Sequence, residues 1–294
     1  MAAYTIENEK LSVTIDAQGA ELSSIYDKEN DRELIWQADA AFWNRHAPVL
    51  FPNVGKYYGG HFTYNGKAYP MGQHGFARDT EFEQIAAGED FVTYRLCADE
   101  ESKKKYPFDF VLEITHRLEN NRLSVEWNVK NVDDKEMYFT IGGHPAFNVN
   151  ILLDTDFEDY SLVFKEGIET LSYILIDAEN GTALTDKTYK LELTNSKYAL
   201  KKDMFDKDAL IFDNGQIEWV GLALPNGKPY IALESKNFPN FGIWSKPGAP
   251  YVCLEPWCGR CDNKGFQGEI SEKPGINTLK AGEVFKKSYD IIVY

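Results

Sequence analysis

Residues 110–132 read FVLEITHRLENNRLSVEWNVKNV, and their periodicity decides the fold class. In the second half, Leu123, Val125, Trp127 and Val129 fall on one face of an extended chain, while Ser124, Glu126, Asn128 and Lys130 fall on the other. The first half repeats the pattern with Phe110, Leu112, Ile114, His116 and Leu118, then closes on Glu119-Asn120-Asn121. Two alternating runs joined by so short a polar link predict an antiparallel hairpin with one buried face.

The same period of two recurs in both directions along the chain, in KLSVTID (10–16), FVTYRLCAD (91–99), EWVGLAL (218–224) and YIALES (230–235). Turn chemistry separates such runs, as at Asn65-Gly66, Asn180-Gly181, Asn214-Gly215 and Asn226-Gly227. Helical periodicity is rare. Many short strands without intervening helices predict an all-β protein of packed antiparallel sheets, a large β-sandwich, and argue against a parallel βαβ arrangement. No linker, low-complexity tract or fixed-period repeat divides residues 1–294, so a single domain is expected.

The 294 residues carry 31 Lys and Arg against 46 Asp and Glu, a formal net charge of -15. That charge repels phosphate backbones and anionic membrane surfaces, which disfavours nucleic acid and membranes as partners. There is no apolar run long enough to span a bilayer, and MAAYTIENEK lacks the basic start and apolar stretch of a secretion signal, so a soluble, cytoplasmic protein is expected. Composition leaves both a monomer and a homodimer open. Aromatic residues make up 14% of the chain, a usage that suits strands and pockets for flat or ring-shaped ligands.

Cys97, Cys253, Cys258 and Cys261 are too sparse for a disulfide scaffold, and free thiols are expected. Cys258 and Cys261 have the spacing of a redox dithiol in EPWCGRCD. Such dithiols open a helix in a βαβ unit, whereas this pair ends a Gly-rich, polar segment of a strand-dominated chain. A zinc site needs a second pair, and none is spaced for one, although Cys253 and a distant histidine are available. The acidic run ILLDTDFEDY lacks the spacing of a calcium loop and reads as solvated.

The chemically dense segments lie elsewhere. FPNVGKYYGGHF (51–62) and PMGQHGFARD (70–79) offer Lys56, His61, Gln73, His74 and Arg78 on Gly-rich turns. FTIGGHPAFNV (139–149) sets His144 between Gly142-Gly143 and Pro145, where packing alone explains a histidine poorly. Glu255 stands near the end of a strand read from YVCLEPW. His116 reads as a core residue on an apolar face, and His46 and His61 as loop residues. Nucleotide-loop, dinucleotide and nucleophile-elbow motifs are all missing. Two histidines, a carboxylate and several polar or cationic groups, without a cofactor motif, suit proton transfer.

Five segments carry a family resemblance: GAELSSI (19–25), FPNVGK (51–56), QHGFARD (73–79), GGHPAFN (142–148) and GIWSKPGAPYVCLEPW (242–257). In this order across almost the whole chain they resemble the aldose 1-epimerase (galactose mutarotase) family, in the subgroup encoded with lactose-utilisation genes. The resemblance implies a one-domain galactose mutarotase-like β-supersandwich, free of metal and cofactor, that binds an aldose in an open cleft. It implies Glu255 as the general base at the anomeric hydroxyl, His144 as the general acid at the ring oxygen, and His74 as the histidine that steadies that oxygen. Lys56, Gln73, Arg78 and Asp208 would hold the sugar, with Asp206 and Asp213 as neighbouring alternatives to Asp208. Lys56 stands where galactose mutarotases carry arginine, replacing a bidentate fork by a point charge. The HGFAR segment with Arg78 is more similar to hexose-6-phosphate mutarotases, so an aldose phosphate, met by Lys56, Arg78 and Lys246, is an alternative substrate. A non-catalytic sugar-binding protein on the same scaffold is a second alternative.

Overall fold

The computed structural model describes residues 3–294. The hairpin forms as its alternation requires: Phe110–Glu119 pairs with Arg122–Asn131, with Leu112 opposite Val129 and Ile114 opposite Trp127. Their apolar residues are buried, whereas Glu126 and Lys130 on the opposite face of the second strand are exposed. This hairpin lies inside a nine-stranded sheet. Val284–Val293 flanks Arg122–Asn131, Phe91–Cys97 flanks Phe110–Glu119, and the remaining strands extend both edges. A second sheet of eight strands centres on Tyr251–Cys258, whose neighbours are Asn240–Trp244 on one side and Ile141–Gly143 and Ala146–Asn148 on the other. Tyr4–Glu7, Leu11–Asp16, Glu21–Asp27 and Arg32–Glu33 form a four-stranded sheet at the start of the chain. Glu100–Lys105 is a short helix capped by Asp99. Among the described residues no helix is long and apolar enough to cross a membrane.

One face of each large sheet turns to a common core. Residues of both share one buried cluster, in which the Phe51 ring centroid lies 5.1 Å from that of Phe110 and 5.7 Å from that of Phe139, while Phe139 meets Phe285 at 5.4 Å. The apolar residues of the four-stranded sheet, among them Val13, Ile15 and Ile25, belong to the same buried cluster.

Tyr251–Cys258 organises the other side of the eight-stranded sheet. Because side chains alternate along a strand, Val252, Leu254 and Cys258 enter the common core, while Tyr251, Cys253, Glu255 and Trp257 face away from it. All eight residues are buried, so both faces of this strand are covered. Pro256, opposite Phe241, does not end the strand, which continues two residues further with Trp257 opposite Asn240 and Cys258 opposite Ile141.

The glycines flanking this strand have a steric reason. An added Cβ on Gly142 would come within 2.5 Å of the Trp257 ring, and one on Gly242 within 2.3 Å. The Trp257 indole therefore lies across both neighbouring strands where they lack side chains. Ile141–Gly143 stops at His144-Pro145 and pairing resumes at Ala146, so His144 stands in a break between two short strands held by the same partner.

Candidate active site

A cavity of about 400 Å³ opens over the outward face of the eight-stranded sheet, a size ordinary for small-molecule sites. Glu255, His144, His74, Lys56, Gln73, Arg78 and Asp208 all line it. Of the alternatives to Asp208, Asp206 is exposed and outside the lining, and Asp213 is committed to Arg260 (2.9 Å) and Asn240 (2.7 Å). Lys246 is exposed and outside the lining, which corrects its grouping with Lys56 and Arg78. Arg45 takes that place as a third cation of the cavity. Sequence reading passed over Arg45, since WNRHAP carries no motif and only long-range packing brings it here. The walls include Trp43, Trp244 and Trp257, whose faces suit a ring-shaped ligand.

Glu255 and His144 form the floor. Their side chains meet at 3.3 Å, His144 Nε2 to Glu255 Oε2, and both are almost fully buried. Trp43 stacks on the His144 ring with centroids 4.8 Å apart, and the His74 ring meets it edge-on at 5.6 Å. Burial pushes the Glu255 carboxyl well above its ordinary 4.5, with the Trp257 indole opposing and the Asp208 charge adding to the rise. Burial pushes the His144 imidazole down to about 3, and Arg78 and Arg45 add to the fall. Both groups are thus held towards their uncharged forms.

His74 is fixed from two directions. Its backbone N–H donates to the Gly55 carbonyl (2.8 Å), and its ring Nδ1 accepts from the Gly55 N–H (3.0 Å). Burial, then His144 and the nearby cations, hold its pKa well below 6.5. A neutral ring that accepts at Nδ1 carries its proton on Nε2, so His74 is a donor there. The Gln73 amide nitrogen lies 3.2 Å from that atom, and since two donors cannot pair, this tautomer requires the amide to turn its oxygen to His74. His74 adopts a left-handed backbone (φ 68°), and Gly75 follows at φ 72°, where an added Cβ would lie 2.2 Å from the Phe51 carbonyl oxygen. Such local strain persists only where its surroundings hold it. Here the Phe51 carbonyl does so by accepting from the Phe76 and Ala77 N–H groups.

The cations form the rim. Arg78 donates to the Gln73 carbonyl (2.8 Å), and burial with the Arg45 charge lowers its pKa to about 10. Arg45 pairs with Asp79 at 2.7 Å. Lys56 lies against Gly181 and makes no ion pair among the described residues.

The other nominated groups stay apart. His116 is buried in the core and His61 is exposed, while His46 lies 3.9 Å from Glu21. Cys258 turns into the common core, whereas Cys261 packs with the cavity-side cluster. Burial raises both thiols, Cys258 to about 12, the opposite of an activated dithiol.

A buried carboxyl–imidazole pair thus lies at the floor of an indole-walled cavity on the face of an antiparallel β-sandwich. The chain belongs to the aldose 1-epimerase family, which matches it over residues 2–291. It is 32% identical to the plasmid form of protein LacX from Lactococcus lactis subsp. lactis over 296 aligned residues, covering 98% of each chain. The structure of a galactose mutarotase related enzyme from Lactobacillus acidophilus superposes with a TM-score of 0.94 at 35% identity, covering 100% of this chain and 97% of the other. A galactose mutarotase-like protein from Lactobacillus casei gives 0.90 at 33% identity, with 100% of both chains covered.

Proposed function

We propose that this protein is an aldose 1-epimerase that interconverts the α and β anomers of an aldohexose by opening and reclosing the ring. The contact between Glu255 and His144 carries this reading. A hemiacetal bears its ring oxygen and its hydroxyl on the same carbon, so the groups that serve them must be close neighbours. Transfer of the Glu255 carboxyl proton to His144 within the pair prepares ring opening, in which Glu255 takes the proton of the anomeric hydroxyl and His144 gives its proton to the ring oxygen as the C1–O5 bond breaks. The free aldehyde turns about the C1–C2 bond, and reclosure on its other face uses the now protonated Glu255 and neutral His144. The two groups exchange one proton and end as they began. The His74 Nε2–H donates to the ring oxygen as charge grows on it. The indole walls and Asp208, Gln73 and Lys56 orient the ring and its hydroxyls.

General acid–base assistance is worth about 10² to 10⁴ in rate. Glu255→Gln should lose that much of the acceleration of mutarotation, followed by polarimetry on freshly dissolved α-glucose and α-galactose, while calorimetry still detects sugar binding. An unchanged rate in the variant would falsify the assignment. Saturable sugar binding by the wild type with no acceleration would instead favour a non-catalytic binding protein. Lys56, Arg78 and Arg45 in the lining of one cavity support a second reading, in which the substrate is a hexose 6-phosphate. Acceleration confined to the 6-phosphates in a panel of aldoses and their phosphates would select it.

A further inference from the structure

Cys253 has no part in proton transfer, yet it stands beside the two residues that carry it. Cys253 and Glu255 are two apart on one strand, so they face the same side, and Ala146, two residues after His144, pairs directly with Cys253. A ligand nitrogen of His144, the Cys253 sulfur and a Glu255 carboxylate oxygen all lie within 4.8 Å of one another. All three residues are more than nine-tenths buried. Glu255 Oε2 accepts no hydrogen bond from any described residue, so a buried acceptor has lone pairs unclaimed at the centre of the cluster.

Nitrogen, sulfur and oxygen donors together suit zinc above the harder divalent cations. Around a tetrahedral zinc the donor atoms lie roughly 3.5 Å apart, so these side chains need close by no more than about an ångström. We propose that His144, Cys253 and Glu255 bind Zn²⁺ as an inhibitory ion whose fourth position faces the cavity. The inhibitory part rests on the reading of Glu255 and His144 as the acid–base pair. The metal occupies the lone pairs that would otherwise receive protons from the sugar. The Cys253 thiol proton and the Glu255 carboxyl proton pass to buffer as the zinc–sulfur and zinc–oxygen bonds form, and no oxidant is consumed. Packed with Tyr251, Trp36, Ala146 and Ala249, Cys253 also fills space as a small apolar residue, a role that alanine or serine would largely preserve.

The test titrates metal-free full-length protein with Co²⁺, whose thiolate charge-transfer absorption reports sulfur ligation, and then with Zn²⁺ while mutarotation is followed. We expect one equivalent bound with the charge-transfer band, and at least tenfold inhibition by stoichiometric Zn²⁺, reversed by a chelator. Cys253→Ala and Cys253→Ser should each keep the basal rate, lose the band and bind Zn²⁺ at least tenfold more weakly, whereas Cys261→Ser should keep the band. Absence of the band in the wild type, or equal zinc affinity in both Cys253 variants, overturns the site. A band in a protein that accelerates no sugar upholds the site and overturns the epimerase reading, so the two failures are distinguishable.

Discussion

A carboxyl and an imidazole buried 3.3 Å apart are a costly feature for the fold, since each surrenders water for a single partner. Their joint burial makes chemical sense because the uncharged pair it favours is the state that recloses the ring, one proton transfer from carboxyl to imidazole away from the state that opens it. The same burial sets a sign for stability. The folded pKa of Glu255 is raised above its unfolded value, so the native state keeps a proton at pH values where the unfolded chain releases it. Its contribution is fully present below about pH 4.5 and is lost as pH rises towards the folded pKa. Glutamine has the same shape and no proton to lose. Urea unfolding of wild type and Glu255→Gln from about pH 4 to about pH 8 should therefore show the variant gaining relative stability as pH rises. An inactive variant that is the more stable at neutral pH is the expected result. A stability difference that stays constant across this range would contradict the raised carboxyl.

The strand Tyr251–Cys258 shows how an element converts sequence into a site, and why part of that conversion is hidden. In the 110–131 hairpin one face of the second strand is wet, so polarity marks which residues are inside, and its register follows from the alternation alone. Tyr251–Cys258 is covered on both faces, so polarity cannot tell its core side from its cavity side. Glu255 was legible as a carboxylate near the end of a strand. Of the flanking glycines, Gly142 was legible as a special position and Gly242 was not, and neither was legible as the bed of Trp257. That bed makes a prediction. The Gly242→Ala methyl would press on an indole already hemmed by Gly142, and overpacking of this kind typically costs 1–3 kcal/mol, about 1–3 here. The melting temperature should fall by a few degrees and the KM for sugar should rise as Trp257 leaves the cavity wall. Unchanged melting and unchanged KM together would show that Trp257 is not constrained by its glycine neighbours.

Across the whole molecule, what the sequence hides is whatever depends on contacts between distant segments. Trp43 and Arg45 from one loop and Asp208 from another meet the same cavity, and nothing local in WNRHAP or FDKDALIF distinguishes them from solvated residues. The choice of Asp208 over Asp213 follows from a contact with Arg260, 47 positions away. The motif segments were readable because each places unusual residues on turns or strand breaks, where local chemistry is visible. The same long-range packing bears on folding. Val13 and Ile25 of the four-stranded sheet, Leu112 and Trp127 of the nine-stranded sheet, and Leu254 and Ile243 of the eight-stranded sheet belong to one continuous buried cluster. A sheet that withdrew would expose the inner face of its partner, and the cavity-side clusters of the eight-stranded sheet are small beside this shared core. Equilibrium unfolding in urea should thus be one transition, with coincident midpoints for far-ultraviolet circular dichroism and tryptophan fluorescence. Trp127 reports the common core and Trp43, Trp244 and Trp257 report the cavity side, so fluorescence samples both faces of the eight-stranded sheet. Two separated transitions would mean that the sheets are stabilised independently and that the cavity rests on a smaller cooperative unit.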